Sequence, residues 1–547
     1  MVQITRRTAL LGGAAAIGTC GSLAACSSGE SAEDMQAANS RVELPTYTPF
    51  EGVDPDWPGD DVLLSGFSSY PSEPVVGIDS PPGDGEVISF VTNIPGAIPP
   101  QMSDNPFWQA LNEKLGSELQ IDMAPNADYE TKFQTTIASG ELPDMINVPM
   151  TTPDLPGLLS STCMDLTEHL AGDAISQYPY LANLGPDYWR GCVAEGAIWG
   201  VPVPRLISRN FSILTRRDLL EARGIEPDTQ PESWEELVAL CKEMSRPEEN
   251  TWALTSNPAN IAHMAVGIPN GWHRHDDGTF THYIEHEDMT ASLEAQILLH
   301  EAGVLNPDSF TANSSTKKEW FNGGAVAMDY DSFVAWTQYE SSNVEVGDFS
   351  VGGIVAPSYQ GAEPVQWLGA ALNNITAFSA DSSHAAETLL AVANWFAAPF
   401  GTAEYLMNKY GVEGEQYELD GTDPAPTSRG VQEVGIGLQY ICDAPMSFYF
   451  PGQPEVADRQ YSIQQRTADR LSHDDSYGLY SPTRDQRASE LETPVWDAMN
   501  EMVQGRRSVS EYDDVVSTWR EGGGAQIAEE LAEAYEAYEA VEAVEAG

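Results

Sequence analysis

The sequence predicts an α/β protein of at least two packed units, and three observations carry that prediction. Residues 86–148 alternate between short β-rich runs and amphipathic stretches in a βαβαβ order. The same alternation begins again near Arg205, and the last third of the chain reads mainly as helix. A length of 547 residues agrees, because domains usually run to about 100–200 residues.

The first unit opens with residues 87–92 (Val-Ile-Ser-Phe-Val-Thr), a β-rich run. Asn105 caps the helix that follows, Pro106 suits its first position, and Phe107, Leu111 and Leu115 share one face up to Gly116. Residues 119–123 are a second strand. Tyr129, Phe133 and Ile137 mark a second helix stopped by Gly140, and residues 144–148 are a third strand. Parallel strands with right-handed crossovers follow from this order, and ligands of such sheets sit beyond the carboxyl ends of the strands. That rule points to residues 93–103 and 147–152, with Asn93 and Asn147 as candidates.

The second unit starts with a strand at 211–214 and a helix at 216–223 ended by Gly224. Ser233 and Glu236 form a capping box ahead of Leu237, Val238, Cys241 and Met244, and residues 251–255 make another strand. Helices are expected at 384–397, 495–504, 511–520 and 525–544. The last carries Ile527, Leu531, Tyr535 and Tyr538 on one face and reads as a docked amphipathic helix.

Residues 1–26 read as an address rather than as part of the fold. Arg6 and Arg7 supply positive charge, residues 8–19 are small and mildly apolar, and Leu23-Ala24-Ala25-Cys26 follows. That order is a bacterial export signal ending at a lipobox, so a peptidase is expected to remove residues 1–25 and Cys26 to carry lipid. The apolar run is too short to span a bilayer. The arginine pair is similar to a twin-arginine signal, but Ala9 stands where a large apolar residue is usual; twin-arginine and general secretion both stay open. Residues 26–85, rich in Ser, Pro, Asp and Gly, are expected to form a lipid-anchored tether and an extended segment along the body's surface.

Lys and Arg number 26 against 83 Asp and Glu, a formal net charge of −57. Such a surface repels polyanions, which excludes nucleic acid as a partner and disfavours docking on anionic lipid. Contact with the membrane is expected only through the lipid anchor. Cys163, Cys192, Cys241 and Cys442 contain no Cys-x-x-Cys pair, so no structural zinc knot is expected. Cys241 reads as a core residue, and Cys163 with Cys192 is a candidate disulfide in an oxidising exterior.

Five segments then share a pattern. Trp320-Phe321-Asn322-Gly323-Gly324-Ala325-Val326-Ala327-Met328 and Ala138-Ser139-Gly140-Glu141-Leu142-Pro143-Asp144 are two of them. The others are Gly478-Leu479-Tyr480-Ser481-Pro482-Thr483, Gly505-Arg506-Arg507 and Trp519-Arg520-Glu521-Gly522-Gly523. Together, over about residues 87–536, they resemble the extracellular solute-binding lipoproteins of ABC sugar importers, in the large subgroup that includes aldouronate-type oligosaccharide binders. The resemblance implies a two-lobed clamshell like the periplasmic binding proteins, with several crossovers between lobes and a helical C-terminal region. Carried over, residues 86–204 plus 326–372 form the first lobe, and 205–325 plus 373–547 the second. Residues 330–336, including Asp331, are then expected to face the cleft.

Sugars are held by flat aromatic faces and by planar polar groups. Trp272 lies in a turn-rich loop, Ile268-Pro269-Asn270-Gly271-Trp272-His273, outside any apolar period, and is placed in the cleft. Trp336 and Trp367 are further candidates, with the core as the rival reading. Arg205 follows Pro202-Val203-Pro204 at the expected crossover, where it either meets an acidic sugar or bridges the lobes in an ion pair. His273, His275, His282 and His286 cluster, but a hairpin with an Asp-Asp-Gly-Thr turn accounts for them and no metal is expected.

Ser314-x-x-Lys317 and Ser103-Asp104-Asn105 echo penicillin-recognising serine enzymes, but in reversed order and without Lys-Thr-Gly. No catalytic residue is assigned. The expected function is a lipid-anchored, solute-binding subunit of an ABC importer on the extracytoplasmic face of the membrane. It would act as a monomer without cofactor, pass an oligosaccharide to the permease subunits, and be rivalled by a secreted glycan-degrading lipoprotein.

Overall fold

The computed structural model describes residues 32–60, 62–95, 97–205, 211–344 and 346–545. The expected export signal and the expected lipid site Cys26 lie outside the described residues. No helix among the described residues is long and apolar enough to cross a membrane.

The first sheet has five strands in the order Glu118–Pro125, Val87–Ile94, Met145–Pro149, Leu372–Phe378 and Gly200–Pro204. Val87–Ile94 runs parallel to both of its neighbours, as βαβ units require. Asn105 caps the first crossover helix, accepting from the Trp108 N–H at 3.1 Å, with Pro106 at the first helical position. Gly116 ends it in the left-handed region at φ 71°. Both faces of this sheet feed one large core, which includes Phe90, Phe107, Leu111, Ile146, Trp189 and Ile375.

The second sheet runs Val351–Ile354, Phe211–Arg216, Val326–Ser332, Trp252–Leu254. One side packs on a core with Trp234, Leu237, Leu293 and Met328, the other on a core with Phe321, Trp336, Phe448 and Val456. Here the expected division of the chain is corrected. Val326–Ser332 pairs antiparallel with Phe211–Arg216, so it belongs to the second lobe. Leu372–Phe378 pairs with Met145–Pro149 and Gly200–Pro204, and residues up to Cys442 share the first core, so that stretch belongs to the first lobe. The chain therefore changes lobe between Pro204 and Phe211, between Trp367 and Leu372, and between Cys442 and Phe448.

The C-terminal helices complete the second lobe. Pro482–Val503 begins 13 residues before the apolar stripe suggested, capped by Ser481, whose Oγ accepts from the Arg484 N–H at 3.1 Å. Pro494 inside it and the charged run before it hid that start from the sequence pattern. Glu530, on the final helix, accepts from Ser481 Oγ at 2.6 Å, Thr483 N at 2.9 Å and Thr483 Oγ1 at 2.7 Å. Replacing a buried cap of this kind leaves donors unpaired. Glu530→Ala is expected to cost about 2 kcal/mol in denaturant unfolding, while Glu530→Gln, which keeps an acceptor, should cost less.

All four described cysteines are buried and free, so the candidate Cys163–Cys192 disulfide does not form. Cys163 sits opposite Ser379, whereas Cys192 points its sulfur toward the Tyr188 carbonyl at 3.7 Å.

Candidate functional site at the lobe boundary

A cavity of about 460 Å³ lies where the lobes meet. Met150, Thr151 and Leu155, just past the carboxyl end of Met145–Pro149, form one wall together with Arg190. Leu372 lies at the crossover, and residues 474–489 of the second lobe form the opposite wall. The position agrees with the rule that open parallel sheets present ligands at their carboxyl ends.

The second-lobe wall is polar and held in place. Arg484 donates to Ser476 Oγ at 2.7 Å and to the Leu479 carbonyl. Asp474 accepts from Ser476 N at 3.0 Å, Ser476 Oγ at 2.7 Å and Trp272 N at 3.2 Å. Burial pushes the Asp474 carboxyl up against the pull of those bonds and of Arg484, and it pushes Asp485 up to about 6. Asp485 faces the backbone amides of Asp154 and Leu155 at the start of helix Leu155–Thr162 in the first lobe. Tyr477 also spans the boundary, its hydroxyl donating to the Asp187 carbonyl at 2.7 Å. Fixed guanidinium, carboxylate and amide groups around one cavity can read a ligand rich in hydroxyls.

The expected site residues fall elsewhere, and none of the seven lines this cavity. Asn147 is fully buried and donates to Asn93 Oδ1 at 2.6 Å, while Asn93 donates to Asn126 Oδ1 at 2.7 Å; the pair marks the carboxyl end of the sheet. Arg205 is half-buried at the first crossover, with its guanidinium 5.2 Å from the Tyr440 ring centre. Among the described residues it has no acidic partner within ion-pair distance, so the lobe-bridging ion pair is not formed. Asp331 is paired with Lys318 at 3.5 Å.

All three tryptophans are corrected to core positions. Trp272 is 4 % exposed and packs against His282 and Trp519. Trp336 fills the core beneath Val351–Ile354. Trp367 donates from Nε1 to the Ile268 carbonyl at 2.7 Å and stacks on His263 at 5.8 Å. The histidine-rich segment is a hairpin, Trp272–Arg274 paired with Phe280–His282. Arg190, Arg484 and Asp485 were missed. Their only signal was position: Arg484 and Asp485 directly follow the segment 478–483 that carried the family resemblance.

Two sheets joined by three crossovers, with a cavity at their boundary, define a two-lobed ligand-binding protein. Comparison with known proteins agrees. Residues 100–402, more than half of the chain, match the family described as bacterial extracellular solute-binding protein. The chain belongs to that family. Lipoprotein LipO of Bacillus subtilis (strain 168) is 21% identical over 462 residues, covering 79% of this chain and 89% of that protein. The polygalacturonan/rhamnogalacturonan-binding protein YtcQ of the same organism is 22% identical over 459 residues, covering 77% and 86%. The solved structure of the S. pneumoniae ABC-transporter substrate-binding protein FusA in complex with kestose shares the fold. Its TM-score is 0.61 at 14% identity, over 83% of this chain and 99% of that one.

Proposed function

We propose that this protein is the lipid-anchored receptor of an ABC importer that captures an oligosaccharide between its lobes and hands it to membrane permease subunits without altering it. The observation that carries this reading is the polar cavity built from both lobes at the carboxyl end of the first sheet. A ligand there touches both walls only when the lobes are closed, so binding favours the closed form. The names of YtcQ and of the FusA complex support a glycan as the ligand class. The Leu23-Ala24-Ala25-Cys26 segment supports a lipid anchor at the outer face of the membrane. Arg205, Asn93 and Asp331 remain proposed for the ligand path, and Asn147 holds Asn93.

A thermal-shift screen over plant and bacterial oligosaccharides, followed by product analysis, tests the reading. A true ligand at a hundredfold excess over its Kd stabilises by about 2.7 kcal/mol and emerges intact. Release of shorter fragments would instead establish the glycan-degrading alternative, and no response to any glycan would overturn the ligand class. Arg205, which has no acidic partner among the described residues, suits an acidic sugar. Arg205→Ala is expected to weaken such a ligand about tenfold in titration calorimetry, equivalent to about 1.4 kcal/mol, and to leave neutral sugars nearly unaffected.

A further inference from the structure

The segment ahead of the first strand is stitched to both lobes. Helix Ala32–Asn39 lies on the final helix of the second lobe, and Gln36 Oε1 accepts from Tyr480 N at 3.0 Å. The chain then crosses to the first lobe. Thr48 N donates to the Ala182 carbonyl at 2.7 Å and Phe50 N to Asn183 Oδ1 at 2.8 Å. It returns to the second lobe at 57–60 and 62–66. Leu64 N donates to Gln464 Oε1 at 3.0 Å, Gln464 Nε2 donates back to the Leu64 carbonyl at 2.8 Å, and Tyr461 donates to the Pro58 carbonyl at 2.8 Å. It ends on the first lobe again, where Val75 N donates to the Gly401 carbonyl at 3.0 Å and Ile78 N to Glu404 Oε1 at 2.9 Å.

We propose that the described residues of 40–84 are a strap that limits how far the two lobes open, with residues 57–60 and 62–64 as its releasable clip. Phe67 N donates to the Phe448 carbonyl at 2.8 Å and Tyr70 N to Asp423 Oδ1 at 2.7 Å, while Asp423 also accepts from the Tyr449 hydroxyl at 2.8 Å and from Gly452 N at 3.0 Å, so this end of the segment sits at the third crossover, where the lobes are already joined. Away from that crossover, the chain takes seven steps of at most about 3.5 Å between the Phe50 and Trp57 attachments, a reach of about 25 Å at full stretch. Lobes that swing apart on this flank must therefore either stop or peel the segment off. The attachments differ in depth. Phe67 and Tyr70 are buried in an aromatic cluster with Phe400 and Tyr449, whereas Trp57, Leu63 and Leu64 are only half-buried against the second lobe. Peeling thus starts at 57–60 and 62–64, where the Gln464 amide supplies two of the bonds.

The test uses the full mature chain without ligand. Gln464→Ala removes both amide bonds, and small-angle scattering reads the lobe separation as radius of gyration. The expected result is a larger radius of gyration than wild type, with faster hydrogen exchange at Leu64 and unchanged exchange at Val75. A folded variant with faster Leu64 exchange and the wild-type radius would overturn the proposal, because the clip would be open and the lobes unmoved. If Gln464→Ala does not fold, a protease site inserted after Asp54 serves instead. Scattering before and after cutting the same sample should show expansion on cutting, and no change would overturn the strap.

Discussion

Trp272→Ala is expected to lose about 3–5 kcal/mol of stability, the usual range for emptying a large aromatic site in a core. Trp272 is 4 % exposed, with ring centres 4.7 Å from His282 and 6.0 Å from Trp519. Its strand is short, and its backbone is fixed from outside the hairpin. The Trp272 N–H donates to Asp474 Oδ1 at 3.2 Å, and its carbonyl accepts from Asp475 N at 2.9 Å. Truncation leaves a void that the Trp519 ring is poorly free to fill. A Cβ at Gly524 would lie 2.5 Å from that ring, so the ring already presses on glycine backbone. For a unit of about 150–250 residues this loss corresponds to a melting temperature lower by roughly 6–20 °C. Glycan affinity at temperatures where the variant is folded should stay within a few-fold of wild type. An unchanged melting temperature with a large loss of affinity would return Trp272 to the ligand path and refute its core assignment.

The second large effect is on acid stability. His282 lies among Trp272, Tyr283 and Trp519, stacked on the last at 5.2 Å. Burial, aided by the nearby Arg484 charge, pushes its imidazole down to about 3. His263, 2.7 Å from Ser292 Oγ, is pushed down to about 3 by burial alone. The fold thus holds both rings neutral, while the unfolded chain takes up their protons from about pH 6.5 downward. Stability from these groups is complete above that pH and is lost as pH falls toward 3, at about 1.4 kcal/mol per pH unit for each ring. Buried acids act in the opposite direction: Glu492 is pushed up to about 7 and Asp485 to about 6, so they gain protons in the fold as pH drops. A comparison of variants isolates the histidine. His282→Phe keeps an aromatic ring against Trp519. Relative to its difference at pH 7.5, it should gain about 2 kcal/mol over wild type at pH 5 and about 3.4 kcal/mol at pH 4. A difference that stays constant across this range would show that His282 is protonated in the fold.

Local rules make much of the molecule legible in the amino-acid sequence. The βαβαβ order from 87 to 148, the Asn105–Pro106 helix start, the Gly116 and Gly140 stops and the 272–282 hairpin all rest on contacts within a few residues, so spacing and residue type suffice. The carboxyl-end rule leads to the edge of the cavity at Met150 and Thr151. The five spaced segments are enough to reach the family.

What the sequence by itself determined is the alternation of elements, their caps and the family. Only the tertiary structure decided which sheet each strand joins and which aromatic rings are covered. Val326–Ser332 has the same apolar character whichever lobe it enters, and its partner Phe211–Arg216 is chosen by hydrogen bonds across more than a hundred residues of chain. Trp272 looked uncovered because no apolar period surrounds it. Its ring is covered by His282 across the hairpin and by Trp519 from the far end of the chain, while Asp474 holds its backbone N–H. Arg484 and Asp485 became cavity walls only when the C-terminal helix met the first lobe. Burial and long-range pairing are properties of the whole packed chain, and no local period encodes them.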